Sequence, residues 1–324
     1  MATVRSWRQA PPVDGPHEIR RDDVPALNQV FSEAFTERYR RDGLVGVRVP
    51  LLNPIIWRYA IEDAAGGAML WRGERGDIVA FNIAHASGAE GWMGPLAVKP
   101  DAQGSGVGKE IVRGGVDWLK RRGCRVIGLE TMPRTMDNIG FYSRLGFEPG
   151  RLTFTLTLDA APGERLPLLL GRLPPRDKAD LIEECRRLAG ERLPGYDFSR
   201  EITLTDELSL GDTVLLRDAD ELRGFALCHT VPLVEGRVRE ELRVLKLVLR
   251  SEEDFGAMAA LLRDYARRSG TRRVALRVQG EYTGVYARLV EGGARVRWTD
   301  LRMTAAGFGE RRPERGVVLS NWEI

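Results

Sequence analysis

"DAQGSGVGKE", residues 101–110, places glycine at positions 104, 106 and 108. It follows the apolar run 93–98 and enters a stretch whose apolar positions Val107, Ile111, Val112, Val116 and Leu119 share one face of a helix, with Gly123 closing it. Glycine is needed where something must approach the backbone closely. A strand-to-helix junction offers an anion consecutive N–H groups and the positive end of a helix. Three phosphate-binding patterns compete for the stretch. A P-loop needs glycine where Gln103 stands and a hydroxyl where Glu110 stands. A dinucleotide fingerprint begun at Gly104 meets Lys109 at its third glycine, and begun at Gly106 it meets Ile111. Both fail. The third pattern, Q-x-x-G-x-G, is met by Gln103, Gly106 and Gly108.

Outward from the loop, the pattern alternates between helical and extended. Helical spacing covers 22–42 and about 53–62, and "GAMLWRGERGDIVAFNIAHA" (67–86) reads as a hairpin. After the loop come a buried strand, "CRVIGLETM" (124–132), a short helix, "MDNIGFYSRLG" (136–146), and an alternating strand, "RLTFTLTL" (151–158). This order predicts a mixed α/β fold. The second half repeats the first: an offset of 144 lays Phe225 on Phe81, His229 on His85 and Tyr286 on Tyr142. The chain therefore divides into 1–160 and 161–324, joined near "LDAAPGERLP", with 168–170 opening the second copy.

The 324 residues suit two domains of about 100–200 residues each. A formal charge of +3 and the lack of aromatic–basic alternation argue against nucleic acid and anionic membranes as partners. The 44 arginines against five lysines read as a genome bias, bacterial in character, that leaves a solvated surface. Cys124, Cys185 and Cys228 lack metal or redox spacing and read as buried thiols; no metal is expected. With no signal-like N-terminus and no run of 18 apolar residues, the expected location is the cytoplasm.

The loop, the strand before it and the pattern N-x-x-F-Y-x-x-x-G-F, carried by Asn138, Phe141, Tyr142, Gly146 and Phe147, resemble the GNAT superfamily of acyl-CoA N-acyltransferases over residues 17–158. The resemblance extends weakly into the second copy, implying two tandem GNAT-like domains, each a mostly antiparallel mixed sheet flanked by helices. The resemblance implies that Leu96, Ala97 and Val98 line the pantetheine arm of acetyl-CoA. Gln103, Gly104, Ser105, Gly106, Val107, Gly108 and Lys109 would bind its pyrophosphate, and Asn138, Phe141 and Tyr142 would also contact it. It further implies that Tyr142 stabilises the leaving thiolate. A thiol pKa of roughly 8.5 against a phenol near 10 lets tyrosine do this without being ionised. Phe141 and Leu145, one turn apart, also read as a core stripe beside Asn138 and Tyr142. Candidates for the opposite proton are Glu130, in "GLETM", and Glu90, at a strand entry, which could equally be a solvated turn carboxylate. His85 recurs as His229 and reads as a structural imidazole. Trp57 and Arg58 could wall the acceptor cleft or cover core.

In the second copy the junction reads "LVLRSEEDFGAM", with Ser251 as a helix cap and three carboxylates that would repel a phosphate. That copy is expected to be a degenerate domain that does not bind coenzyme A. The expected function is N-acetyl transfer from acetyl-CoA to a primary amine, of a small molecule or a protein, by direct attack in a ternary complex. The alternative is a non-catalytic acyl-CoA-binding regulator or scaffold. The assembly expected is a monomer with an internal pseudo-dimer, or a homodimer.

Overall fold

A computed structural model of the chain describes residues 13–218 and 221–323. The first copy opens with β1 (Asp14–Glu18), α1 (Val24–Arg41) and α2 (Pro54–Ala64). Asn53 caps α2, its Oδ1 accepting the Ile55 N–H at 3.2 Å, and Pro54 fills a first-turn position where no N–H is needed. Then follow β2 (Ala68–Arg72), β3 (Ile78–Ser87), β4 (Glu90–Val98), α3 (Val107–Arg121), β5 (Val126–Thr131), α4 (Met136–Arg144) and β6 (Phe147–Asp159). β2 and β3 are apolar on both faces because helices cover both. Leu70, Phe81 and Ile83 pack with Leu27, Phe31 and Trp57 of α1 and α2, while Met69, Trp71 and Ala80 pack with Ile111 and Val112 of α3.

The second copy contributes β7 (Leu168–Leu169), α5 (Pro175–Arg192), α6 (Ser199–Glu207), β8 (Gly211–Asp218), β9 (Glu221–His229), β10 (Glu241–Leu249), α7 (Phe255–Arg268), β11 (Arg273–Gln279), α8 (Thr283–Glu291), β12 (Arg295–Ala305) and β13 (Val317–Ser320). The 144-residue offset lays β9 on β3 and α8 on α4. Tyr286 packs against the second core, its ring 5.3 Å from that of Phe154.

All thirteen strands join one mixed sheet in the order β1-β2-β3-β4-β5-β12-β6-β11-β10-β9-β8-β7, with β13 on β10. β4–β5 and β10–β11 are parallel and the other pairs antiparallel. The two copies exchange their last long strands. β12 pairs with β5 from Leu301↔Thr131 to Thr304↔Gly128, and β6 pairs with β11 from Arg273↔Asp159 to Gln279↔Thr153. β6 and β12 pair with each other at the centre. No helix among the described residues is long and apolar enough to cross a membrane.

Candidate active site

β4 and β5 stay paired only from Glu90↔Val126 to Met93↔Leu129. Beyond Met93, β4 keeps its other neighbour, with Leu96, Ala97 and Val98 opposite Asn82, Phe81 and Ala80 of β3, while its edge toward β5 is left open. The sheet thus splits into a slot that leads to the glycine loop. In the second copy β10 pairs with β11 from Glu241 to Arg243, and β13 then takes over against Lys246–Leu249. A peptide strand therefore fills there the position that is open in the first copy. Tyr282, which stands where Asn138 does, donates its hydroxyl to the Val318 carbonyl of that strand at 2.9 Å.

The loop holds its own shape. The Gln103 side-chain amide donates to the Val98 carbonyl at 2.9 Å, and the Ser105 hydroxyl to the Ala102 carbonyl at 2.6 Å. Gly104 and Gly106 have φ of 82° and 99°, a left-handed backbone that glycine adopts without steric cost. Gly106 is also the α3 N-cap, and no side chain caps that helix. The N–H groups of residues 104–108 find no acceptor among the described residues, whereas Lys109 N–H returns to the Gly106 carbonyl. Five consecutive unpaired donors at a helix start are the kind of feature that suits an anion. Gly108 lies beneath α4: a Cβ there would meet Phe141 Cζ at 3.3 Å. At the equivalent start of the second copy, Ser251 Oγ accepts the Glu253 N–H and Asp254 Oδ2 accepts the Ser251 N–H, each at 3.2 Å. Those donors are already taken.

On α4, Asn138 Nδ2 lies 3.4 Å from Thr131 Oγ1 at the end of β5. Tyr142 is buried between Phe141 and Phe147, at ring separations of 5.3 and 6.0 Å, and burial pushes its phenol pKa up. The expected core stripe packs against the core from its edge. Phe141 and Leu145 are only half-buried, and Tyr142 is the residue of α4 that enters the core.

Neither carboxylate candidate has the surroundings expected of it. Glu90 is fully buried rather than solvated: Trp322 Nε1 and Ser320 Oγ donate to it at 2.9 and 2.7 Å, and Lys246 Nζ lies 3.6 Å away. Glu130 accepts from Thr153 Oγ1 at 2.6 Å, Arg302 Nε at 2.9 Å and Arg277 Nη2 at 2.5 Å. Burial alone would raise its pKa, but the two guanidinium groups and Thr153 outweigh burial and bring it down to about 2. A carboxylate held charged by three donors is a weak proton acceptor. His85 is buried as well, Nδ1 2.6 Å from Asp63 Oδ2 and Nε2 3.2 Å from the Gly94 carbonyl, its ring stacked on Trp92. Trp57 is entirely buried in the first core, while Arg58 pairs with Glu62 at the surface.

Sequence reasoning passed over Lys246, Arg277 and Arg302, all buried. Lys246 and Arg277 each interrupt an apolar run, "VLKLVL" and "VALRVQ", where an isolated cation signals a buried partner; Arg302, in the polar strand "RVRWTDLRMTA", gives no such sign.

The model of the acetyltransferase (GNAT) family matches residues 25–147. The uncharacterized N-acetyltransferase YjhQ of Escherichia coli K12 is 37% identical over 57 residues, which is 18% of this chain and 28% of that relative. The chain thus spans about a quarter of that relative's length. In fold, the chain is similar to a GCN5-related N-acetyltransferase from Sphaerobacter thermophilus (TM-score 0.57, 16% identity, 95% of this chain and 98% of that one). It is also similar to a tandem GNAT protein from the clavulanic acid biosynthesis pathway (TM-score 0.60, 12% identity, 93% and 100%). The matching stretch, residues 25–147, contains both the split strand pair and the glycine loop, and the fold around it is similar end to end to that of a tandem GNAT protein.

Proposed function

We propose that the protein is an N-acetyltransferase that binds acetyl-CoA in the first copy and passes the acetyl group to a primary amine in a ternary complex. The observation that carries this reading is the run of five unpartnered amides, 104–108, at the mouth of a half-open strand edge. Those amides and the start of α3 suit a diphosphate, and Lys109 beside them adds a positive charge. The free edge of Leu96, Ala97 and Val98 suits the amide-bearing pantetheine arm, as β10 accepts β13 in the second copy. Asn138 and Phe141 would flank the arm from α4. Because β13 and the Ser251 cap occupy the second copy, the expected stoichiometry is one acetyl-CoA per chain.

In the reaction the amine nitrogen attacks the thioester carbonyl and the C–S bond breaks, leaving a thiolate. Tyr142 donates a hydrogen bond to that sulfur. With the phenol raised above its ordinary value of about 10, full transfer to a thiolate of pKa roughly 8.5 is uphill, so the proton finally comes from solvent. Glu90 and Glu130 hold the two copies together and do not act as the base in this reading.

Calorimetric titration with acetyl-CoA, paired with a thiol-release assay over an amine panel, tests the proposal. Tyr142→Phe should retain wild-type affinity and lose about 10²-fold or more in turnover. Turnover near wild type in that variant removes Tyr142 from the mechanism. Absence of saturable heat in the wild type removes the function.

A further inference from the structure

The slot between β4 and β5 has a second wall, and the second copy builds it. Gly94 is the first residue of β4 beyond its pairing with β5, and a Cβ there would lie 3.5 Å from the Trp322 main-chain oxygen. The next residue, Glu323, leaves half its side-chain surface open to solvent. Its backbone N–H is held by Asn321 Oδ1 at 3.0 Å, and its Oε2 lies 2.8 Å from Arg277 Nη1. Asp300, on β12 just beyond the residue paired with Thr131, lies 3.0 Å from Arg277 Nη2 and accepts the Trp298 indole N–H at 3.2 Å.

Charge in this cleft is unbalanced. Arg277 contacts three carboxylates at once, Glu130, Asp300 and Glu323, and Arg302 relieves only Glu130 while also pairing with Glu310. Arg243 acts on Glu323 from β10. From α1, across the cleft, Tyr39 senses the same pair: burial raises its phenol pKa first, and Glu323 and Asp300 raise it further. Both carboxylates thus lie within electrostatic reach of Tyr39 on α1.

We propose that Glu323, with Asp300 behind it, forms the ammonium subsite for the acceptor, so that the second copy supplies the acidic group that the first copy lacks. This rests on the acetyltransferase reading above and deepens it: the acceptor is a cationic primary amine. The Glu323 carboxylate pairs with the –NH3+ group and takes one proton from it. The freed nitrogen lone pair then forms the bond to the thioester carbon; as the C–S bond breaks, the nitrogen gives up its second proton to solvent to leave a neutral amide, and Glu323 returns its own proton to solvent. Burial, aided by Asp300 and Glu130 and opposed by Arg277 and Arg243, pushes the Glu323 carboxyl up to about 7, where a base works at neutral pH.

The test uses the full chain as wild type, Glu323→Gln, Glu323→Asp and Glu323→Ala. Acetyl-CoA affinity is measured by calorimetry. Thiol release is followed between pH 6 and 9 with spermidine, tyramine, glucosamine and a lysine-containing peptide as probes. The expected result is turnover of at least one probe by the wild type. Glu323→Gln and Glu323→Ala should lose about 100-fold or more in kcat/KM for that probe, with the acidic limb of the profile near pH 7 abolished and acetyl-CoA affinity within twofold of wild type. Glu323→Asp should restore the limb at reduced rate. A Glu323→Gln enzyme with wild-type kcat/KM and an unchanged limb overturns the proposal. So does a wild type that binds acetyl-CoA yet acylates none of the four amines, and in that case cofactor binding stands while the subsite falls. If acetyl-CoA does not bind, the parent reading fails and takes this one with it.

Discussion

Glu130 offers a stability measurement whose size and pH dependence both follow from its surroundings. Its carboxyl is buried among Arg277, Arg302 and Thr153, and its pKa falls from 4.5 to about 2. At 1.36 kcal/mol per unit, that difference corresponds to about 3 kcal/mol of folding free energy. The sign follows from the direction of the shift. A depressed carboxyl contributes fully above its unfolded value of 4.5, and the contribution disappears as pH falls through 2. Glu130→Gln keeps the shape and one acceptor but leaves two buried guanidinium groups short of a counter-charge. Removing one member of a buried pair costs roughly 3–5 kcal/mol, the same range. Urea unfolding followed by tryptophan fluorescence should therefore show the variant about 3 kcal/mol less stable at pH 7. The gap should narrow to about 1 kcal/mol at pH 3, where the unfolded chain has gained its proton and the folded one has not. A gap of constant size from pH 7 to pH 3, or none at pH 7, would refute the account of how the strand exchange is held together.

Two further outcomes are expected. Gly106→Ala meets no atom in the protein but forces an L-residue to φ near 99°, at a cost of about 1–2 kcal/mol. Calorimetry should show acetyl-CoA binding weakened roughly 5- to 30-fold, and an unchanged affinity would mean that the loop conformation plays no part. All three thiols are buried, and burial lifts Cys124 to about 11 and the other two higher. The native protein should thus react with Ellman's reagent at well below one equivalent within the time of a thiol-release assay, and reach three in denaturant. Prompt reaction of the native form would show that Cys124 is accessible.

The parts of the molecule legible in the sequence are those whose determinants are neighbours along the chain. The glycine loop is one: Gln103 and Ser105 fold back on Val98 and Ala102, and the helix begins one residue after Gly106. Helix and strand periods gave most elements, and the repeat gave the equivalence of β3 with β9 and of α4 with α8. Partner choice was not legible. Alternation in "RLTFTLTL" marks a strand with one apolar face but cannot say that its neighbours are β11 and β12, more than 100 residues away. Glu90 was misread for the same reason, since Ser320 and Trp322 lie about 230 residues downstream. Glu323 was overlooked because its position depends on Arg277 and on the course of β13. The clue that was available was Lys246, a single cation inside "VLKLVL" (244–249) that called for buried anions and pointed to a polar seam between the copies.

The interleaving of β6 and β12 bears on how the molecule can breathe. Two beads on a string may rock, open and clamp, but here any such swing would tear a ladder of main-chain bonds running from Thr131 to Asp159 and strip Glu130 of both its counter-charges. The two copies are thereby bound to turn through solution as one body, sharing a single ladder rather than a hinge.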